Sequence, residues 1–164
     1  MNVLFHTITG STLATVISSK KYPKHFKVKI LFLGFLLGIL SHGILDFIPH
    51  QYPISSKIDV FASVVFIASV LLSTKTPNRL IFAFCFLGTI FPDLIDLGPQ
   101  IVNKLIGINL PTFKIFPWHR PQYSGSIFDG SHALLSNIIH LIVILLNLIV
   151  LLYFKHKNKV FNST

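Results

Sequence analysis

The run ILFLGFLLGILSHGILDFI, residues 30–48, carries no charge until Asp46. It is long enough to cross a bilayer as a helix, which takes roughly 20 apolar residues. Three further apolar runs follow, at about 58–74, 79–97 and 134–154. A fifth, 1–18, is uncharged but carries several Thr and Ser, so it either spans when packed against the others or lies partly in the interface. The fold class these runs imply is all-α: a single transmembrane domain, 1–164, forming an integral membrane bundle of four to five helices. A long extramembrane loop, 98–133, precedes the last helix.

Composition agrees. Hydrophobic residues make up 52% of the 164-residue chain, charged residues 12%, and the mean hydropathy is +0.70. Soluble proteins carry about 25% charged residues. The net charge of +9 does not indicate a nucleic-acid partner, because the Lys residues gather at the ends of apolar runs, where membrane proteins keep their topological charges. A lone cysteine, Cys85, excludes a disulfide within the chain.

Those charges set the topology. Lys20–Lys29 holds five basic residues, Lys75–Arg79 two and the tail after Phe154 three; threading the segments back and forth puts all ten on one side. The other side receives Lys57, Lys104, Lys114 and Arg120. The positive-inside rule makes the first side cytoplasmic, so the expected location is the inner (cytoplasmic) membrane, multi-pass, with loops 49–57 and 98–133 on the non-cytoplasmic side. Lys20, Lys21 and Lys24 follow segment 1–18 instead of preceding it, which favours a retained helix over a cleaved signal peptide. Within the long loop, 99–110 is mildly amphipathic, and Phe113, Phe116, Trp118 and Tyr123 suit the bilayer interface.

The same threading gathers the polar chemistry. The chain has no Glu and five Asp. His6, the Ser41-His42…Asp46…His50 stretch, Pro92-Asp93…Asp96, His119-Arg120 and Ser131-His132 all fall at the non-cytoplasmic face. His42 and Asp46 are four apart and share a helix face. Gly34 and Gly38 continue that stripe, as small residues do where membrane helices approach closely. His6, Gly10 and Ala14 repeat the pattern, as do Gly88, Pro92 and Asp96. A carboxylate inside the bilayer costs about 2.5–3.5 kcal/mol on insertion scales, and a metal ion removes much of that cost. Imidazole and carboxylate suit zinc first, with manganese or iron as alternatives.

Blander roles fit other residues. His140 reads as a packed, hydrogen-bonded side chain, His25 and His156 as solvated, His50 as a loop residue at even odds of joining the cluster, and Asp59 and Asp129 as helix caps.

These motifs resemble the membrane-bound metal-dependent hydrolase family of small bacterial and archaeal multi-pass proteins. That family has an N-terminal His, a Ser-His-x-x-x-Asp helix end, a Pro-Asp-x-Asp motif and a His-Arg followed by Thr-His-Ser. By resemblance, His6 matches the first, His42 with Asp46 the second, Asp93 with Asp96 the third and His119 with Arg120 the fourth. The acidic motif here is one residue longer, the Ser-His-x-x-x-Asp element comes before it, and His132 follows Arg120 by twelve residues.

The expected function is a metal-dependent hydrolase at the non-cytoplasmic face, acting on a phosphoester or lipid-like substrate, with membrane lipid as its surroundings. His6, His42, Asp46, Asp93 and His132 are the metal candidates, with His50 as a possible addition. Asp96 and His119 are candidates for general base or orienting group, and Arg120 for binding an anionic group through its fork of donors. The alternative is a non-catalytic protein whose His/Asp cluster is a structural metal site, a hydrogen-bonded set, or a metal or proton pathway. The apolar cytoplasmic halves of the helices disfavour a pathway.

Overall fold

The computed structural model describes residues 1–158, without the side chains of Lys24 and of 155–158. The side chains of Lys155, His156 and Lys157, and all of Lys159, therefore lie outside what is described. Among the described residues there are six α-helices and no strand: α1 (Val3–Ser18), α2 (Lys27–Phe47), α3 (Ser56–Ser73), α4 (Thr76–Asp96), α5 (Gly98–Ile106) and α6 (Ala133–Asn158). Four of them, α2, α3, α4 and α6, are long and apolar enough to cross a membrane. This is a helical membrane protein. Its outward side chains include Val60, Phe61, Val64 and Leu72 of α3 and most of the Leu and Ile of α6, an apolar coat that water would not tolerate and lipid does.

The first segment is the centre of the bundle. α1 packs against α2, α3, α4 and α6. Its 16 residues span about 24 Å, less than a full bilayer core. Its Thr and Ser residues are compatible with that buried place because their hydroxyls bond the helix's own carbonyls: Thr7 to Leu4, Thr9 to Phe5, Thr12 to Ile8 and Thr15 to Ser11, at 2.8–3.2 Å. The start of α1 is capped from outside. Asp59, at the first turn of α3, accepts the Val3 and Leu4 N–H groups at 2.8 and 3.0 Å. Asp59 is thus a cap, but of the neighbouring helix and not of its own.

The tightest pairing joins α2 to α4. A Cβ added to Gly38 would lie 2.8 Å from the Cys85 carbonyl oxygen, and one on Gly88 would strike the Phe35 carbonyl. Gly34 meets Cys85 in the same groove, and Gly10 brings α1 onto Thr89 and Phe86. Phe82, Cys85, Phe86, Ala14 and Ile17 form the core of this three-helix contact. The glycine stripe therefore runs directly inward from His42 and Asp46, as their spacing requires.

Helix ends differ from the apolar runs by a few residues. α2 starts at Lys27 and α4 at Thr76, where Pro77 occupies the first turn; α6 continues to Asn158. The long loop is not a free strand of chain. After α5, residues 107–132 fold back across the ends of α2 and α4. The Gly125 N–H bonds the Asp46 carbonyl at 2.7 Å, the His50 N–H bonds the Gly125 carbonyl at 2.9 Å, and the Ile127 N–H bonds the His50 carbonyl at 2.8 Å. Only Gly fits at position 125, because a Cβ there would strike the Ile48 carbonyl. Phe116 and Trp118 pack on Phe91 and Phe47, so these aromatics hold the loop down while Phe113 and Tyr123 stay exposed.

Candidate metal centre

Alternating helix directions bring the N-terminal end of α1, the C-terminal ends of α2 and α4 and the returning loop to one end of the bundle. There His42, Asp46, Asp93 and His119 each offer one ligand atom, all within 4.8 Å of one another.

The tautomers follow from the outer partners. His42 Nδ1 lies 2.6 Å from the Thr89 carbonyl oxygen, which can only accept, so Nδ1 carries the proton. His119 Nδ1 donates to Asp96 Oδ2 at 2.9 Å. Asp96 also accepts the Ile115 and Phe116 N–H groups at 2.9 and 3.0 Å, and so fixes both the loop and the ring. Both imidazoles therefore turn Nε2 inward, and the two Nε2 atoms are 3.1 Å apart. Two lone pairs at that distance repel unless a proton or a cation lies between them.

The rest of the set fits a cation. His42 Nε2 is 3.2 Å from Asp46 Oδ2 and 3.7 Å from Asp93 Oδ1. His119 Nε2 is 3.3 Å from each of the same two carboxylates. Ligands at 2.0–2.1 Å from a tetrahedral metal are about 3.3 Å from each other; the separations that involve a histidine run from 3.1 to 3.7 Å, and the whole set lies within 4.8 Å. Two carboxylates and two neutral imidazoles cancel the charge of one dication. A carboxylate behind a ligating His is the arrangement that orients such ligands. Burial works against a charged His119, but its hydrogen bonds to Asp46, Asp93 and Asp96 outweigh it and push its pKa up to about 10. The carboxylates thus draw positive charge to this point, as a proton or as a metal ion. Of the four side chains, Asp93 is the most open, at 19% exposure against 0–7% for the others.

The other candidates are placed differently. His6 stacks on His42, ring centroids 3.9 Å apart, with Nε2 3.2 Å from Asp46 Oδ1, but stands outside the group of four. His132 does not join. It has a left-handed backbone, φ 59°, and is exposed; its carbonyl accepts the Ser136 N–H at the start of α6. His50 is buried but turned to the clasp, between the Ile48 carbonyl, Tyr52 and Ser126. Arg120 is exposed beside His119, its Nε donating to the Lys114 carbonyl at 3.3 Å, while Lys114 Nζ donates to the His119 carbonyl at 2.8 Å. Lys114 was not singled out in the sequence; its nearness to His119 comes from the loop's turn, which no periodicity announces. His140 stacks on Phe5, as a packed side chain would, but its Nε2 has no hydrogen-bond partner among the described residues. Asp129 accepts the Ser131 N–H, a turn cap ahead of α6.

No family model, no curated protein and no solved structure matches this chain.

Proposed function

We propose that the protein is a membrane-bound, metal-dependent hydrolase whose centre is His42, Asp46, Asp93 and His119, with zinc as the best-suited ion. The observation that carries the metal is the pair of inward Nε2 atoms at 3.1 Å, flanked by two carboxylates. Such an ion, when bound, supplies a Lewis acid and an activated water at neutral pH. Asp96 holds His119 in its ligating tautomer. Arg120 and Lys114, both exposed next to His119, present positive charge to an anionic group, which favours a phosphoester, as a phospholipid or a smaller ester. Sidedness rests on the charge count: the centre lies at the helix ends opposite Lys20–Lys29 and Lys75–Arg79, which makes its face non-cytoplasmic.

A second reading has one observation in its favour. Four protein ligands complete a tetrahedron, and closed sites are usually structural. The two readings part in one experiment. The protein in liposomes, loaded with zinc or manganese, is assayed on phosphomonoesters, phosphodiesters and phospholipids. Hydrolysis that stops with a chelator and in His119→Ala, and whose KM rises in Arg120→Ala, supports the hydrolase. Bound metal with no hydrolysis of any of these supports the structural site.

A further inference from the structure

The short helix α5 packs on α4 but buries no residue of its own. Helical periodicity puts Ile101, Val102, Leu105 and Ile106 on one side of it and Gln100, Asn103 and Lys104 on the other. Ile101, Leu105 and Ile106 are 54–78% exposed. The chain that follows is built the same way. Gly107 ends the helix with a left-handed backbone. Asn103 then holds Leu110 twice: its amide donates to the Leu110 carbonyl at 2.8 Å, and its side-chain oxygen accepts the Leu110 N–H at 2.7 Å. Along this return Ile108, Phe113 and Ile115 are exposed as well. Apolar side chains left open in such number over one short stretch mark a surface with a partner.

Continuity with the spanning helices is the first sign of which partner. Leu80, Leu87 and Leu94 form an exposed stripe along the spanning helix α4, and Ile101 is the next step at the same spacing. The junction keeps its helical hydrogen bonds. Leu97 has a helical backbone, its N–H bonds the Asp93 carbonyl at 2.8 Å, and the Ile101 N–H bonds the Leu97 carbonyl at 3.1 Å. The lipid-facing side of α4 therefore passes into the apolar face of α5. Charge is the second sign. No acid stands between Asp96 and Asp129, whereas Lys104, Lys114 and Arg120 do. Lys104 lines an open hollow on the polar side with Gln100, Asn103, Asn109 and Thr112. Lipid phosphates complement these cations, whereas a second copy of the chain would set like charges against each other.

We propose that residues 98–115 are a membrane arm that lies in the lipid leaflet at the His/Asp end of the bundle, with its apolar face in the acyl chains and its cations among the phosphates. An amphipathic helix of this kind sinks its apolar face roughly 5–10 Å into the headgroup boundary. Both ends of the arm meet at one residue. Asp96 is the last residue of α4, and its carboxylate accepts the Ile115 and Phe116 N–H groups. The lipid that holds the arm thus also steadies the carboxylate that holds His119. The inference needs the spanning helices but no metal, so it stands or falls apart from the metal centre.

The test places an environment-sensitive thiol-linked fluorophore at Leu105→Cys and, separately, at Gln100→Cys, in a Cys85→Ala background. Both labelled positions are exposed, so neither change disturbs packing. The full chain is reconstituted in vesicles of phosphatidylethanolamine and phosphatidylglycerol, with iodide on both sides of the membrane or with a nitroxide carried high on the lipid acyl chain. Loss of emission from the Leu105 label with the lipid nitroxide and not with iodide, and the reverse at Gln100, is the expected result. Iodide quenching at both positions puts the arm in water and overturns the proposal. Shielding of the Leu105 label from both quenchers, with Leu105→Cys chains oxidising to a linked pair at low protein-to-lipid ratio, makes the partner a second copy and overturns it too. Should the Cys85→Ala chain fail to fold, the labels go into the wild-type background, where Cys85 is buried.

Discussion

At the scale of single residues, the centre depends on what stands behind each ligand. Asp96 touches no inward-facing atom of the set, yet it holds His119 and two loop amides. Asp96→Asn is expected to lower metal affinity about 10–100-fold, read by competition with a chelator of known strength. His132→Ala is expected to leave it unchanged. His50 gives a pH prediction. Burial, followed by the nearby amino terminus, pulls its pKa from 6.5 down to about 4. A folded-state pKa below the unfolded value means the unfolded chain takes up the proton first. Stability from this residue is therefore intact above about pH 6.5 and is lost as pH falls toward about 4. A melting profile should fall across that window and flatten in His50→Gln; an unchanged profile in the variant would put the transition elsewhere. His42 and Asp46 were readable in the sequence because four-residue spacing fixes their shared face. His119 was readable as a chemical residue but not as a partner of His42, because a loop 77 residues along has no period to place it. The same lack of a period put His132 among the metal candidates and His119 among the general bases, whereas the group of four contains His119 and not His132.

At the scale of elements, the α2–α4 groove positions three of the four ligands. Gly38→Val would drive a branched side chain into the Cys85 and Gly88 backbone. It is expected to cost at least about 1–3 kcal/mol, the range for overpacked cores, and to weaken metal binding with it. Leu40→Ala, on the exposed face of the same helix, should cost far less. Unfolding in mixed detergent measures both, and similar losses would contradict the packing described. The stripes at Gly34, Gly38 and Gly88 were legible because small residues at helical spacing have few other uses in a bilayer. The central place of α1 was not. Its Thr and Ser left two places open, packed among the other helices or partly in the interface, and its contacts with α2, α3, α4 and α6 decide for the first. Nor was the role of Asp59 legible, since its spacing to Val3 and Leu4 is entirely tertiary.

At the scale of the whole molecule, one end of the bundle carries the His/Asp group and the other the basic residues of 20–29 and 75–79. The apolar runs were enough to read four spanning helices, because a membrane span is set by length and composition. The fold-back of 107–132 was not readable, since its anchors are a glycine with no room for a side chain and backbone pairs to His50 and Asp46. Sidedness is testable with single cysteines in a Cys85→Ala background. Lys57→Cys in intact cells or spheroplasts should react with a membrane-impermeant thiol reagent, and Lys75→Cys only after lysis; the reverse pattern would invert the topology. The central claim is that His42, Asp46, Asp93 and His119 hold a metal ion. The most direct test is metal analysis by mass spectrometry of the purified protein beside its Asp46→Asn, Asp93→Asn double variant. At least about one equivalent of zinc, manganese or iron in the wild type, absent from the double variant, is the predicted result. A wild type that takes up no metal, or a double variant that keeps it, would contradict the account and leave these residues as a hydrogen-bonded set that fixes helix packing.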